Sequence, residues 1–220
     1  MSKAAKERHI KVIVAEGRKG GIGKTTTCIN LATSLSRAGY NVGIYDVDSQ
    51  GTLAKWFNNR VSKKGIKDDP YYIPLDQDNL ADGVDKADKA GFDFLIIDTP
   101  PVEAKYLTHV TAIADLVIIT TKPSGGDLDA VTDTVRAVRA AGKPFAFHIS
   151  ETRTNSVALI DTMKSLSSFG PIAGNTRTLD VFRELFTYGD TLFEAAPNSK
   201  ATLDINSMRI FVENFFNGDN

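Results

Sequence analysis

A glycine-rich segment between a short apolar run and a helical pattern constrains the fold most. Residues 17–27 read GRKGGIGKTTT, after the run IKVIVA at Ile10–Ala15 and before a helical pattern at Thr25–Ala38. A short apolar run fits a buried strand, and Gly39 is a natural helix stop. In this order, the N–H groups of the loop and of the helix N-terminus can bind an anion. The sequence therefore predicts a phosphate-binding loop within an α/β fold.

The rest of the chain repeats the alternation of apolar runs and helical patterns. Further strands are expected at Asn41–Asp46, Phe92–Ile97, Leu116–Thr121 and Phe145–Ile149, with an edge strand at Tyr71–Leu75. Helices are expected at Thr52–Arg60, Ala81–Ala90, Asp127–Ala141 and Ser156–Phe169, and near 180–188 and 201–216. Strands this apolar are typical of a parallel sheet covered on both faces. We predict an α/β fold with a doubly wound, mostly parallel sheet flanked by helices.

Length, charge and cysteine content narrow the class of protein. The chain has 220 residues, and we expect residues 1–220 to form one domain with a short flexible N-terminus at 1–9. A net charge of -1 means that any nucleic acid would be bound by a local basic patch. The single cysteine, Cys28, excludes a disulfide framework and an intramolecular cysteine pair for a cluster. We find no apolar window long enough for a membrane span.

The glycine loop carries most of a phosphate-binding motif. Gly23, Lys24 and Thr25 fit the second half of the pattern G-x-x-x-x-G-K-[ST], but Arg18 occupies the position of its first glycine. Gly20 and Gly21 let the backbone approach an anion closely. Lys24 is expected on the β- and γ-phosphates, and Thr25 is expected to offer its hydroxyl to Mg²⁺.

Aspartates follow two of the predicted strands. Asp98 ends FDFLIID, and Asp46 and Asp48 end NVGIYDVD. An isolated aspartate after a strand is usually a turn or cap residue, but three of them beside a phosphate loop favour a functional site. We predict that Asp98 binds Mg²⁺, directly or through water, and that Asp48 acts in the same crevice. Asp46 is either a third residue on the metal side or a cap residue.

Several motifs together resemble the ParA/MinD family of deviant Walker A ATPases, a branch of the P-loop NTPases. KGGIGKTT at 19–26 resembles its deviant Walker A loop, YDVDSQGTLAKW at 45–56 its second motif, and FLIIDTPP at 94–101 its Walker B motif. Three further segments resemble later landmarks of small plasmid-partition ParA proteins. They are ADLVIITTKPSGGDLDAV at 114–131, SETRTN at 150–155 and YGDTLFEA at 188–195. Ser49 replaces a family proline, glycines loosen the segment at 123–127, and Gly17 and Arg18 replace amide-bearing residues.

The resemblance implies a slow, partner-stimulated ATPase with ATP and Mg²⁺ as ligands. The implied nucleotide-binding residues are Lys19, Gly20, Gly21, Ile22, Gly23, Lys24, Thr25 and Thr26. Lys19, Lys24 and Asp48 are the implied catalytic residues, and Thr25, Asp46 and Asp98 the metal side. Lys19 matches the signature lysine, which reaches the partner subunit's phosphates in an ATP-bound homodimer. By resemblance the dimer binds DNA non-specifically, and a ParB-like centromere-binding protein stimulates hydrolysis. Such a protein is cytoplasmic and nucleoid-associated.

Other branches and classes fit less well. The iron-protein branch bridges its dimer with two cysteines per subunit, whereas Cys28 has no partner cysteine. MinD-like, pole-positioning ATPases end in a basic amphipathic membrane helix, and the end MRIFVENFF at 208–216 lacks a basic face. Only about nine residues precede the first strand, so no helix-turn-helix domain is expected. A P-loop metabolic ligase would not need Lys19, and a module that binds ATP without turnover would not need Asp48 and Asp98.

A basic run and the histidines complete the candidate residues. The run consists of Lys55, Arg60, Lys63, Lys64 and Lys67, with residues 61–70 expected as an exposed loop. The run is either a solvated surface or part of a DNA-binding patch. Other basic candidates are scattered: Arg153, Lys164, Arg177, Arg183, Lys200 and Arg209. The histidines at 9, 109 and 148 show no metal-ligand spacing and are interpreted as structural, and Trp56 is expected to pack its helix.

Overall fold

Seven parallel strands form one sheet. The computed structural model describes residues 8–101, 104–123, 128–153 and 156–218. The strands are β1 Lys11–Glu16, β2 Val42–Asp46, β3 Tyr71–Tyr72, β4 Phe94–Asp98, β5 Leu116–Thr121, β6 Phe145–Thr152 and β7 Ile172–Arg177. Their order across the sheet is β3-β2-β4-β1-β5-β6-β7, and every neighbouring pair is parallel. The apolar runs predicted as strands are therefore confirmed.

Helices cover both faces of the sheet. They are α1 Lys24–Arg37, α2 Thr52–Lys64, α3 Leu80–Lys89, α4 Ala104–Ile113, α5 Leu128–Ala140, α6 Val157–Ser167, α7 Phe182–Tyr188, α8 Leu192–Ala195 and α9 Lys200–Asn217. One core joins the sheet to α3, α4, α5 and α6, and the other joins it to α1, α2 and α9. The doubly wound architecture is confirmed. Within the part of the chain that the structure describes, no helix is long and apolar enough to cross a membrane.

The sheet brings the candidate residues to one edge. β1 lies at the centre of the sheet, between β4 and β5. The chain connections on its two sides therefore run in opposite directions and leave a crevice at the carboxyl end of β1. Ligands of open α/β sheets bind in the crevice at such a switch point. Asp98 pairs in register with Ala15 of β1 on one side and with Asp46 of β2 on the other. The glycine loop and the aspartates therefore meet at this edge.

Three of the labelled elements lie where the sequence analysis assigns none: β7, α4 and the single-turn α8. β7 reads IAGNTR and is an edge strand that is only partly buried, so it lacks the apolar run by which the other strands are predicted. α4 reads AKYLTHVTAI, with apolar and polar residues mixed over a short stretch. The expected flexible segment 1–9 falls mostly on residues 1–7, outside the described residues, as do residues 124–127 and 154–155 of the family-like motifs.

The expectation of an exposed basic loop at 61–70 is wrong in its first half. α2 continues to Lys64 and ends at Gly65, whose φ of 71° is the left-handed conformation that glycine adopts easily. Basic side chains in the last turn favour the carbonyl end of a helix. Arg60 is 1% exposed and Trp56 is 0% exposed, and Lys64 forms an ion pair with Asp190. Of the basic run, only Arg60 is buried, whereas Lys55, Lys63, Lys64 and Lys67 remain exposed. Trp56 packs α2 as predicted.

Candidate nucleotide site

The glycine loop joins β1 to α1 through a backbone that needs glycine. Gly21 and Gly23 have φ values of 70° and 87°, which strain any residue with a Cβ. A Cβ on Gly23 would also lie 3.2 Å from the Cβ of Ser150. Gly23 caps α1 without a side-chain hydrogen bond. The first N–H groups of α1 thus point toward the loop with the positive end of the helix dipole, an arrangement that suits an anion.

Lys24 is folded back across this loop. Its side chain is buried, and Nζ donates a hydrogen bond of 3.0 Å to the carbonyl of Gly17. A Cβ on Gly17 would lie 2.3 Å from Cδ1 of Ile22, so the loop closes tightly around its lysine. Burial lowers the pKa of Lys24, and the nearby Asp98 opposes that shift. A buried cation of this kind is stabilised by an anionic ligand in the loop.

A cavity of about 320 Å³ opens over the loop. Its lining includes Gly20, Gly21, Ile22, Gly23, Lys24, Thr25 and Thr26. Asp48, Thr52, Thr99, Pro101, Glu151 and Phe186 complete it. The structure thus brings the predicted loop residues together with Asp48. Lys19 does not line this cavity but is exposed, beside a narrow cleft against Val131 and Thr134 of α5.

Asp98 has the environment of a cation ligand. Its Oδ2 accepts a hydrogen bond of 2.6 Å from Oγ1 of Thr25. Its Oδ1 is buried and has no hydrogen-bond partner among the described residues. Burial raises the pKa of Asp98 to about 7 although the Thr25 hydrogen bond lowers it. An unpaired carboxylate oxygen at this depth is costly unless a cation compensates it.

These residues fit Mg²⁺ bound together with a nucleotide. The described residues contain no group of three or more histidine, cysteine or acidic side chains that could hold a metal ion. Mg²⁺ is instead commonly held by one or two protein oxygens, water and substrate phosphates. Asp98 and Thr25 supply such a pair of oxygens beside the phosphate loop.

Asp46 and Asp48 organise the connection from β2 to α2 in different ways. The Asp46 carboxylate accepts hydrogen bonds from the backbone N–H groups of Asp48 (2.9 Å) and Ala54 (3.0 Å). Both oxygens of Asp46 are thereby occupied in capping the connection, which favours the cap interpretation over direct metal binding. Asp48 accepts from the N–H of Gln50 through Oδ1 and lines the cavity.

A second cavity of about 170 Å³ adjoins the first. The two share Gly23, Thr26 and Glu151 in their walls. The second is also lined by Thr178, Leu179 and Phe182, which follow β7 or begin α7. The first cavity surrounds the glycine loop and Lys24, and the second has mixed apolar and polar walls. Together they suit a phosphate chain and an attached heterocycle.

A protein-family model decides the relationship. The model described as "CobQ/CobB/MinD/ParA nucleotide binding domain" matches residues 13–218, almost the whole chain. The chain belongs to this family. Its members share a nucleotide-binding domain, which agrees with the glycine loop and its adjoining cavities.

Curated relatives of this ParA/MinD-type chain have several roles. Maintenance of carboxysome distribution protein A of Halothiobacillus neapolitanus is 26% identical over 196 residues, or 84% of this chain and 88% of the relative. The iron-sulfur cluster carrier protein of Pseudomonas fragi is 32% identical over 173 residues, or 72% of this chain and 54% of the relative.

Solved structures of the family share the fold. The MinD cell division protein of Aquifex aeolicus superposes with a TM-score of 0.77 at 18% identity, over 92% of this chain and 97% of that one. A putative plasmid partition protein of Borrelia burgdorferi bound to AMPPNP gives 0.74 at 18% identity, over 93% and 99%. These structures share the fold, and the family-model match confirms the relationship predicted from the motifs.

Sequence reasoning missed the residues that the C-terminal third contributes to the site. Glu151 lies on the walls of both cavities and has a positive φ of 51°, which is uncommon outside glycine. Phe182 and Phe186 lie one helical turn apart on α7 and line one cavity each. The family-like motif SETRTN contains Glu151, and YGDTLFEA begins at Tyr188, the last residue of α7. These motifs are the signal that could have indicated the region.

His148, which the sequence analysis interprets as structural, is buried between α1 and β7 and lines the second cavity. It is 1% exposed, and its ring nitrogens lie 3.0 Å from Oγ1 of Thr27 and 2.8 Å from Oγ1 of Thr176. These contacts join α1 to β7 beneath the second cavity. Burial lowers the pKa of His148 from 6.5 to about 4.

The buried imidazole predicts an acid-dependent loss of stability. Between pH 6.5 and about 4 the unfolded chain binds a proton that folded His148 does not, so the stability from this group is present above pH 6.5 and is lost as the pH falls. The loss reaches about 3 kcal/mol. We expect His148→Gln to reduce the change in unfolding free energy between pH 7 and pH 4.5, measured by urea denaturation. Parallel pH profiles of the two proteins would contradict the assignment.

Proposed function

We propose that the protein is a partition-type ATPase that works as a nucleotide switch. It binds ATP with Mg²⁺, closes into a homodimer over two nucleotides, and binds DNA non-specifically in that state. Hydrolysis, stimulated by a ParB-like centromere-binding partner, returns it to the monomer. The observation that carries the proposal is the placement of the two loop lysines. Lys24 lies inside the phosphate cavity, whereas Lys19 is exposed beside it.

The two cavities support a specific orientation of ATP. The triphosphate occupies the larger one, against the loop N–H groups and Lys24, and the nucleoside extends into the smaller one. Thr25 and Asp98 would hold Mg²⁺, which would neutralise charge on the phosphates. Phosphoryl transfer depends mainly on positioning and electrostatic stabilisation. The loop therefore supplies binding and orientation, and turnover without a partner is slow.

Lys19 supports the dimer. Two ATP-bound subunits that meet face to face bring two sets of phosphates together, and their like charges repel. A lysine from each subunit that contacts the partner subunit's phosphates offsets this repulsion. Exposure of Lys19 next to its own phosphate cavity suits that role.

Asp48 is the proposed water-positioning residue. It lines the phosphate cavity, and its Oδ1 is oriented by the N–H of Gln50. Asp48→Ala should keep ATP binding and dimerisation but lower kcat by roughly two orders of magnitude, since a positioned carboxylate contributes about that much. Phosphate release under single-turnover conditions measures the effect. Hydrolysis at the wild-type rate would assign the role to another residue.

We assign DNA binding to the basic side chains that are exposed. Arg60 is buried, and among the scattered candidates Arg177 pairs with Asp204 and Arg209 with Glu213. The exposed candidates that remain include Arg153, Lys164 and Lys200. The names of relatives concerned with carboxysome distribution and plasmid partition support a role in positioning or segregating a cargo.

Co-sedimentation with DNA and with liposomes tests the function. With Mg²⁺ and ATP the protein should pellet with non-specific duplex DNA and not with anionic liposomes; with ADP it should do neither. Retention should fall steeply between about 50 and 200 mM salt, because phosphate contacts release counterions. Lys24→Ala serves as the control that cannot use ATP. Equal DNA retention with ADP would contradict the switch, and ATP-dependent binding to liposomes alone would assign a membrane-positioning role instead.

A further inference from the structure

α2 supplies hydrogen-bond donors to the C-terminal end of α7. Asn59 Nδ2 donates to the carbonyl of Phe186 at 2.9 Å, and Arg60 Nη1 donates to that of Gly189 at 2.9 Å. Trp56 Nε1 donates to the carbonyl of Asp190 at 2.8 Å, and Lys63 Nζ to that of Thr187. The last carbonyls of a helix have no partners within it. Four side chains of α2 thus bond to carbonyls in the last turn of α7 and in the two residues that follow it.

The backbone of α2 also packs directly against the backbone at the C-terminal end of α7. Gly189 has a φ of 67°, and a Cβ there would lie 2.3 Å from the backbone nitrogen of Arg60. Arg60 also donates a hydrogen bond of 2.8 Å to Oε2 of Glu194. The same oxygen accepts a hydrogen bond from the backbone N–H of Thr191. α2, α7 and α8 therefore form one packed unit, held by a buried guanidinium.

This unit reaches the phosphate cavity at two points. Its first end is Thr52, the first residue of α2, directly after the Asp48 turn. Its second end is Phe186, which is half-buried against the core containing Leu53 and Trp56 and lines the cavity. The carbonyl of this phenylalanine is the one that Asn59 holds.

We propose that Phe186 contacts the bound nucleotide as an outer wall of the phosphate cavity, and that Asn59 is the positioning residue that fixes this wall through the Phe186 carbonyl. An aromatic wall excludes water from the phosphates, and charge interactions with the loop strengthen where water is excluded. The inference rests on the proposed ATP binding and adds to it a residue outside the family-like loop motifs.

Two asparagines side by side on α2 provide a matched test. Asn59 bonds to α7, whereas Asn58 is exposed. Binding of ATP with Mg²⁺ is measured by calorimetry for Asn59→Ala, Asn58→Ala and Phe186→Leu. We expect Asn59→Ala and Phe186→Leu each to weaken binding about fivefold, as for loss of one hydrogen bond or a comparable contact, with Asn58→Ala unchanged. The double variant Asn59→Ala/Phe186→Leu should be no weaker than Phe186→Leu alone, since both changes remove the same wall.

The outcomes separate this inference from the function on which it rests. Failure of the wild type to bind ATP would overturn the proposed function. ATP binding by the wild type with equal affinities for Asn59→Ala and Asn58→Ala, or additive losses in the double variant, would overturn the inference alone. The emission maximum of Trp56, the single tryptophan, reports whether the packing of α2 on α7 is intact. Should Asn59→Ala fail to fold, wild-type affinity in Phe186→Leu would still overturn the proposed wall.

Discussion

Replacement of Lys24 by alanine is expected to abolish ATP binding. The ammonium group lies inside the loop on the Gly17 carbonyl, at the position where β- and γ-phosphates would lie. Removing one partner of a buried, hydrogen-bonded charge pair costs several kcal/mol, so affinity should fall by about 100-fold or more. The loop itself should remain folded, because its shape depends on Gly21, Gly23 and the contact of Ser150 Oγ with the Ile22 carbonyl.

Calorimetric titration with ATP and Mg²⁺ measures this loss. Lys86→Ala is a suitable control, since Lys86 is an exposed lysine on α3 paired with Asp82. Retained micromolar affinity in Lys24→Ala would show that the phosphates lie elsewhere.

Replacement of Lys19 by alanine should separate dimerisation from nucleotide binding. Lys19 is exposed and lies outside the cavity of its own subunit, so monomer affinity for ATP should stay within a few-fold of wild type. A symmetric dimer contains the substitution twice. We therefore expect the ATP-dependent dimer to weaken by at least about tenfold, since each lysine offsets phosphate charge at the interface.

Sedimentation velocity over a concentration series gives the dimer affinity, and calorimetry gives the ATP affinity of the same preparation. Lys19→Ala should thus differ from Lys24→Ala, which is expected to lose both ATP binding and dimerisation. Unchanged dimerisation in Lys19→Ala would make this lysine a charged loop residue without a role in the switch.

The sequence predicts those parts of the molecule that local patterns determine. Strands β1, β4 and β5 are buried on both faces, so their apolar runs identify them. The loop is predictable because Gly23, Lys24 and Thr25 have fixed spacing. Asp98 follows from its position at a strand end, and the structure adds the unpaired oxygen that makes a cation fit.

Tertiary contacts account for what the sequence analysis missed. Arg60 is charged and lies in a basic run, yet it is buried because Glu194 and the Gly189 carbonyl reach it from another part of the chain. Phe186 enters the phosphate cavity through contacts with α2, and Asn59, which holds it, is 127 residues away. β7 is an edge strand with polar residues, so its pairing with β6 carries little periodic signal.

The proposed switch requires ATP to convert a monomer into a dimer, and the molar mass of the wild-type protein in solution measures this conversion. Analytical ultracentrifugation with Mg²⁺ is performed with ADP and with a slowly hydrolysed ATP analogue. The chain has a mass of 23.9 kDa; we expect this value with ADP and twice this value with the analogue. The same mass with both nucleotides, whether monomer or dimer, would rule out an ATP-driven switch.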